Sequence, residues 1–207
     1  MVPRPGEKVC LVGQTGSGKS YAARRLAGAY YGRRQIIVAD LKHDPMWNGL
    51  DAQIIRKASQ LPRARFPRVP VVVWRPDGDA AHDMHLMDSL FAWVYRRGNT
   101  VLVVDEVSAM VGGPTSYGPG FGDLVTRGRV RECTCIMGTQ RPVMVPRIVF
   151  SESVKFGVFY LVDKRDRDTV AAFSAAEVAA PVGDRHGLWW VDTRQRSATY
   201  LPSLPTA

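Results

Sequence analysis

Gly13-Gln-Thr-Gly-Ser-Gly-Lys-Ser20 is the stretch whose reading decides the fold of this chain. It satisfies the pattern G-x-x-x-x-G-K-[ST], in which glycines let the backbone curl so that successive N–H groups point inward at phosphate oxygens. A helix following the loop adds its positive dipole end to the same cradle. Lys19 is expected to reach the β- and γ-phosphates of a nucleoside triphosphate, and Ser20 to offer its hydroxyl to magnesium. The expected binding set is Gly13, Gln14, Thr15, Gly16, Ser17, Gly18, Lys19 and Ser20, with Tyr21 beside it, and the expected cofactors are ATP and Mg2+. The flanks supply the required context. Lys8–Val12 reads as a short buried strand, and Lys19–Tyr30 as a helix with Ala22, Ala23, Leu26, Ala27 and Tyr30 on its apolar faces.

Outward from the loop, apolar runs of strand length alternate with helical patterns, which signals an α/β fold with a mostly parallel central sheet flanked by helices. Further strands are expected at Gln35–Asp40, Val69–Trp74, Thr100–Asp105, Thr134–Met137 and Lys155–Val162. Helices are expected at His82–Arg97, at Asp123–Arg131 and from near Arg165. The five glycines and two prolines from Gly112 to Gly122 predict a loop there. Gly187–Val191 and Ser197–Leu201 predict a closing antiparallel hairpin. With 207 residues, no repeat and no low-complexity linker, one domain spanning residues 1–207 is expected.

Two more elements carry chemistry. The apolar strand Val101-Leu-Val-Val104 runs into Asp105-Glu106. A carboxylate at the end of a buried strand can hold magnesium through its water shell, the role expected of Asp105. Glu106 is placed to polarise a water for attack on the γ-phosphate. The next strand ends in Thr139-Gln140-Arg141-Pro142. Since the C-terminal ends of parallel strands gather on the ligand side, Gln140 is expected near the γ-phosphate.

The glycine loop, Asp40-Leu41-Lys42, Asp105-Glu106 and Thr139-Gln140-Arg141-Pro142 occur in this order in the FtsK–HerA superfamily of DNA-pumping ATPases, which this chain resembles over roughly residues 8 to 170. In its compact size it is most similar to the genome-packaging ATPases of membrane-containing icosahedral phages and archaeal viruses. The resemblance implies a RecA-like P-loop core, a homo-oligomeric ring (commonly a hexamer) and double-stranded DNA driven through its channel. It also implies an arginine lent by the neighbouring subunit. Arg129 is the first candidate for that arginine finger, with Arg167 and Arg165 as alternatives. A viral capsid or internal-membrane vertex is the implied dock, which sets the expected location as host cytoplasm and virion.

Composition agrees with that destination. The formal net charge is +9, which suits a polyanionic partner. From Arg56 to Arg75 the chain has six basic residues and no acid; Arg63, Arg65 and Arg68 are candidate DNA contacts there. Tyr117 and Phe121, in the expected loop, are candidates to line a channel. No apolar stretch approaches the length of a membrane span, and the N-terminal residues lack the apolar core of a signal peptide. Three cysteines argue against a disulfide framework, and the four histidines lack zinc spacing. The competing readings are a filamentous-phage-type assembly or DNA-export ATPase, and a nucleotide-dependent switch or small-molecule kinase. The chain lacks the Asn-Lys-x-Asp motif of a GTP switch.

Overall fold

The computed structural model describes residues 1–48, 51–63, 66–184, 186–195 and 197–202. In chain order its main elements are β1 (Lys8–Val12), α1 (Lys19–Gly28), β2 (Gln35–Ala39), β3 (Ala52–Ile55), β4 (Val71–Trp74), α2 (Met84–Arg97) and β5 (Thr100–Val104). There follow α3 (Pro119–Arg127), β6 (Thr134–Thr139), α4 (Arg147–Ser151), β7 (Lys155–Val158), α5 (Lys164–Ala171), β8 (Leu188–Asp192) and β9 (Ser197–Leu201). The strands form one sheet in the order β3-β4-β2-β5-β6-β1-β7-β8-β9. Every pairing from β3 to β7 is parallel, and β8 and β9 close the edge antiparallel. The expected class, a mostly parallel α/β sheet with a C-terminal antiparallel hairpin, is what the chain adopts.

Side-chain alternation along the strands builds two apolar layers. Cys10, Ile37, Val72, Leu102 and Cys135 point to the face covered by α2, α3, α4 and α5, where Leu90, Phe91, Phe121, Leu124, Phe150 and Val170 are buried. Val9, Leu11, Val38, Val73, Val103 and Ile136 point to the other face, against Ala22, Ala23 and Leu26 of α1. Covered on both sides, these strands have no polar face to alternate with, which is why they read as unbroken Val/Ile/Leu runs. Each such side chain contributes roughly 1.5–3 kcal/mol on burial. All three cysteines are buried free thiols within these layers.

The differences from expectation have local causes. Helix α3 begins at Pro119, inside the segment expected to be loop, and ends at Arg127 rather than Arg131. Residues 112–118 are loop as expected, but Gly120 serves close packing rather than a turn. A Cβ on Gly120 would stand 2.4 Å from the Asp88 carbonyl oxygen of α2, so only glycine admits this helix–helix approach. The Asp88 carboxylate accepts from Gly120 N at 3.0 Å and from Phe121 N at 2.8 Å. It thereby caps α3 from a neighbouring helix, where no side chain of α3's own N-cap, Gly118, can. Phe121, expected to face a channel, is 1% exposed and packs edge-on against Phe91 at 4.9 Å. That expectation is corrected.

Strand β7 stops four residues short of the expected Val162, because the chain turns towards the glycine loop: the Tyr160 carbonyl accepts from Gln14 N at 3.0 Å. Two elements are additions: β3, on the sheet edge with Gln53 and Ile54 exposed, and the five-residue α4, too short for a helical period to register. At the opposite end of the sheet, Asp192 joins Lys155 to Arg194, and Arg194 in turn pairs with Glu7, tying the hairpin to β7 and to the chain entering β1. Arg194, and after it Lys155, holds the Asp192 carboxyl well below the usual carboxylate range against the opposing effect of burial.

The cap predicts a specific weakness. Asp88→Ala should lower the free energy of unfolding in urea by about 1–2 kcal/mol, with Asp88→Asn losing less. An unchanged midpoint for Asp88→Ala would mean that α3 needs no cap from α2.

Candidate functional site

The C-terminal ends of β1, β5 and β6 lie side by side, Val12 paired with Thr139 and Val104 with Met137, so the residues just beyond them meet. After β1 the loop Gly13–Gly18 folds back on itself, with Ser17 N donating to the Gln14 carbonyl at 3.2 Å. Gly18, at φ 103°, is the left-handed residue that turns the chain into α1. No side chain caps that helix and its first turn holds no acid, so its leading N–H groups remain open to an anion. Lys19 is buried and its Nζ donates to the Gln14 carbonyl at 2.8 Å, which lays the ammonium along the floor of the loop.

Ser20 Oγ donates to Asp105 Oδ1 at 2.9 Å. A hydroxyl and a buried carboxylate are the hard oxygen donors that suit magnesium, which keeps most of its shell for water and phosphate. Burial raises the Asp105 pKa, opposed by the Ser20 hydrogen bond and by Lys42. A cation at this position would offset that cost. The residues fit the ion.

Glu106 is held from several directions. It accepts from Ser108 Oγ at 2.7 Å and from Gln140 N at 3.2 and 3.3 Å, and pairs with Lys42 Nζ at 3.3 Å. The Gln140 side chain accepts from Thr15 Oγ1 at 2.8 Å, which links the end of β6 to the glycine loop. Of these, Thr15, Lys42 and Gln140 line one cavity of about 660 Å³, together with Lys19, Ser20, Asp105, Tyr21, Met46, Phe159 and His186. The volume is that of a ligand pocket. Lys42, Met46, Phe159 and His186 had no site role in the sequence reading. Lys42 follows the C-terminal end of β2, so the strand-end rule that located Gln140 could have found it; Phe159 and His186 carry no local signal.

The remaining candidates are scattered. Arg129 is exposed on the turn from α3 into β6, its backbone against Gly6, at the N-terminal edge of the sheet and away from its own cavity. Arg165 is exposed on α5. Arg167 donates to its own chain's carbonyls at Ala179 (3.0 Å), Leu161 (2.8 Å) and Val162 (2.6 Å), which makes it a brace for the start of α5 and a poor candidate to reach another subunit. Arg68 is exposed before β4; Arg65 and the side chain of Arg63 lie outside the described residues. Tyr117 is 42% exposed, its ring edge-on to Phe121 at 5.8 Å. No helix among the described residues is long and apolar enough to cross a membrane.

A family model described as an AAA domain matches residues 6–135. The DNA packaging ATPase P9 of Enterobacteria phage PRD1 is 30% identical, with 100% of this chain and 91% of the relative covered. Among solved structures, the genome packaging NTPase B204 from Sulfolobus turreted icosahedral virus 2, in complex with AMPPCP, superposes with a TM-score of 0.74 at 18% identity, over 98% of this chain and 100% of that one. VirB4 of Thermoanaerobacter pseudethanolicus gives a TM-score of 0.67 at 12% identity, over 97% and 89%. These two likenesses speak for the fold.

Burial pulls the Lys19 pKa down to about 8, against the carboxylates of Glu106 and Asp105, which push it up, and with Lys42 adding to the fall. A bound triphosphate favours the charged lysine, so above about pH 8 binding takes up a proton. Affinity for ATP should then fall about tenfold per pH unit. A fluorescent ATP analogue titrated from neutral pH to about pH 9.5 reads this; a flat affinity would contradict it.

Proposed function

The chain belongs to the AAA-domain family, with the packaging ATPase P9 of phage PRD1 among its relatives, and on that premise we propose that it is the ATPase that drives double-stranded DNA into a viral particle. It is an ATP-binding enzyme that hydrolyses its nucleotide. The observation that carries the reading is the convergence of Lys19, Ser20, Asp105, Glu106 and Gln140 on one cavity or on one another within hydrogen-bonding distance.

Each residue has a defined task. The loop N–H groups and the open start of α1 grip the phosphates, and Lys19 turns from the Gln14 carbonyl to the β- and γ-oxygens. Ser20 and Asp105 would hold magnesium, which would draw negative charge off the phosphate oxygens. Glu106 accepts hydrogen-bond donation from the attacking water and aligns it with the γ-phosphorus. Gln140 ties this base to the glycine loop through its backbone N–H on one side and its side chain on the other.

Translocation is the finer part of the proposal. Subunits assemble into a ring, a hexamer, with Arg129 reaching the neighbour's cavity as the residue that neutralises developing charge. The exposure of Arg129 and the self-bonding of Arg167 support that choice. DNA is gripped by its phosphates rather than read by base edges, which suits the net charge of +9 and the exposed Arg68 and Tyr117. The ring docks on capsid or internal-membrane vertex proteins in the infected cell.

Steady-state ATPase turnover with and without long double-stranded DNA tests the reading. DNA should stimulate wild-type turnover, and Glu106→Gln should lower it at least about 100-fold. Turnover indifferent to DNA, or phosphate passed to a small acceptor, would sink the motor. Tyr117→Ser should reduce the DNA-stimulated part while sparing basal turnover; equal stimulation in that variant would remove Tyr117 from the DNA path.

A further inference from the structure

Asp166 has no part in the chemistry described above, yet this charged residue is only 2% exposed. It stands in the first turn of α5, whose N-cap Asp163 accepts from Arg165 N at 2.8 Å. Arg167 ties the same turn to the carbonyls of Leu161 and Val162, so the start of α5 is firmly anchored. From that anchor Asp166 reaches across to the chain leaving β6. Its Oδ1 accepts from Val143 N at 3.0 Å, and its Oδ2 lies 3.2 Å from Arg141 Nε. Arg141 Nη2 also stands 3.7 Å from Asp163 Oδ2. Both oxygens of Asp166 therefore hold the turn that directly follows Gln140. A buried charge returns little of its desolvation cost as stability, so its use here points to placement.

Gln140 is held on two sides by the nucleotide site itself, its N–H on Glu106 and its side chain on Thr15. On a third side a groove of about 440 Å³ opens between the glycine loop and α5, lined by Gln14, Thr15, Gln140, Arg141, Asp163 and Asp166. Packing cannot steady the turn across a groove. The contacts of Asp166 with Arg141 and Val143 bridge it instead. We propose that Asp166 is a positioning residue for Gln140: through Arg141 and the Val143 N–H it fixes the turn that aims the Gln140 side chain at the terminal phosphate. The proposal rests on the reading of Gln140 as the residue near that phosphate. A displacement near 1 Å in such a group can cost about 100-fold in rate. Gripping the other phosphates belongs to the glycine loop and the start of α1, so the tie should matter for the γ-phosphate and not for ADP.

Asp166→Asn keeps the shape of the side chain and an acceptor for Val143 N while removing the charge that holds Arg141. Arg141→Met breaks the tie from its exposed end, and Arg141→Lys keeps a cation there. Steady-state ATPase assays read kcat, competition of AMPPCP and ADP against a fluorescent ADP analogue reads discrimination, and thermal melting reads folding. Asp166→Asn and Arg141→Met should each lower kcat about 10-fold and the preference for AMPPCP over ADP about 5-fold, with ADP affinity changed less than about twofold. Arg141→Lys should recover part of both losses. The double variant should cost no more than either single one, because both remove one tie. Wild-type kcat and discrimination in Asp166→Asn and Arg141→Met overturn the proposal. So does an equal loss of ADP and AMPPCP affinity with lowered melting, which a merely structural pair would give. Gln140→Ala separates the two readings. If it is impaired while the Asp166 and Arg141 variants are not, the positioning role alone fails; if it keeps wild-type kcat and discrimination, the reading of Gln140 fails and takes the proposal with it.

Discussion

The hydrogen bond from Ser20 Oγ to Asp105 Oδ1 joins residues 85 positions apart, and the organisation of the site follows from the register that makes it possible. β1 and β5 are not neighbours; β6 lies between them and pairs with both. Parallel pairing puts the C-terminal ends of all three on one edge, and the shared partner fixes how far each projects. One residue of slip in β6 would exchange its two faces and move Gln140 off the cavity. The two-sided apolar burial of the strands makes such a slip costly, because Ile136 and its neighbours Cys135 and Met137 fill opposite layers. Packing in the core therefore sets the tolerance of the chemistry at the edge.

The site carries strain of an electrostatic kind. Burial raises the pKa of Asp105 and lowers that of Lys19, each effect opposing the charge that the function requires. Between them the lysines and the carboxylates compensate one another, which holds an ionised cluster together in a half-enclosed cavity. A triphosphate with its metal would change that balance, supplying anions to Lys19 and a cation to Asp105. That change would fall beside Glu106 and Gln140, which are hydrogen-bonded to each other.

What the sequence disclosed depended on whether the chemistry was contiguous. Gly13–Ser20 is one uninterrupted segment with its mechanism written in its spacing, and Asp105-Glu106 closes an unmistakable apolar strand. Gln140 needed only the further rule that parallel strands end on the ligand side. Lys42 was quoted for its place after β2 but given no task, since its closeness to Glu106 depends on β2 and β5 being neighbours, and pairing order is not local information. The glycines around residue 120 misled for another reason. Composition reads glycine as a turn, whereas Gly120 is small so that α3 can lie on α2 and accept its cap from Asp88. Edge strand β3 and short α4 escaped because neither is long enough to impose a period. Arginines were legible as a charge but not as roles; only their hydrogen bonds distinguish Arg167, tied into its own chain, from Arg129, left exposed.

The central claim is that three adjacent strand ends build one site for magnesium and a triphosphate, with the hydrolytic carboxylate already aimed at it. A crystal structure of the chain with magnesium and AMPPCP tests this most directly. The account predicts the metal on Ser20 Oγ with Asp105 in its water shell, Lys19 Nζ on the β- and γ-oxygens, and Gln140 and Glu106 facing the γ-phosphate. Phosphates bound away from the Gly13–Ser20 loop, or a γ-phosphate that neither Gln140 nor a water held by Glu106 can reach, would contradict it.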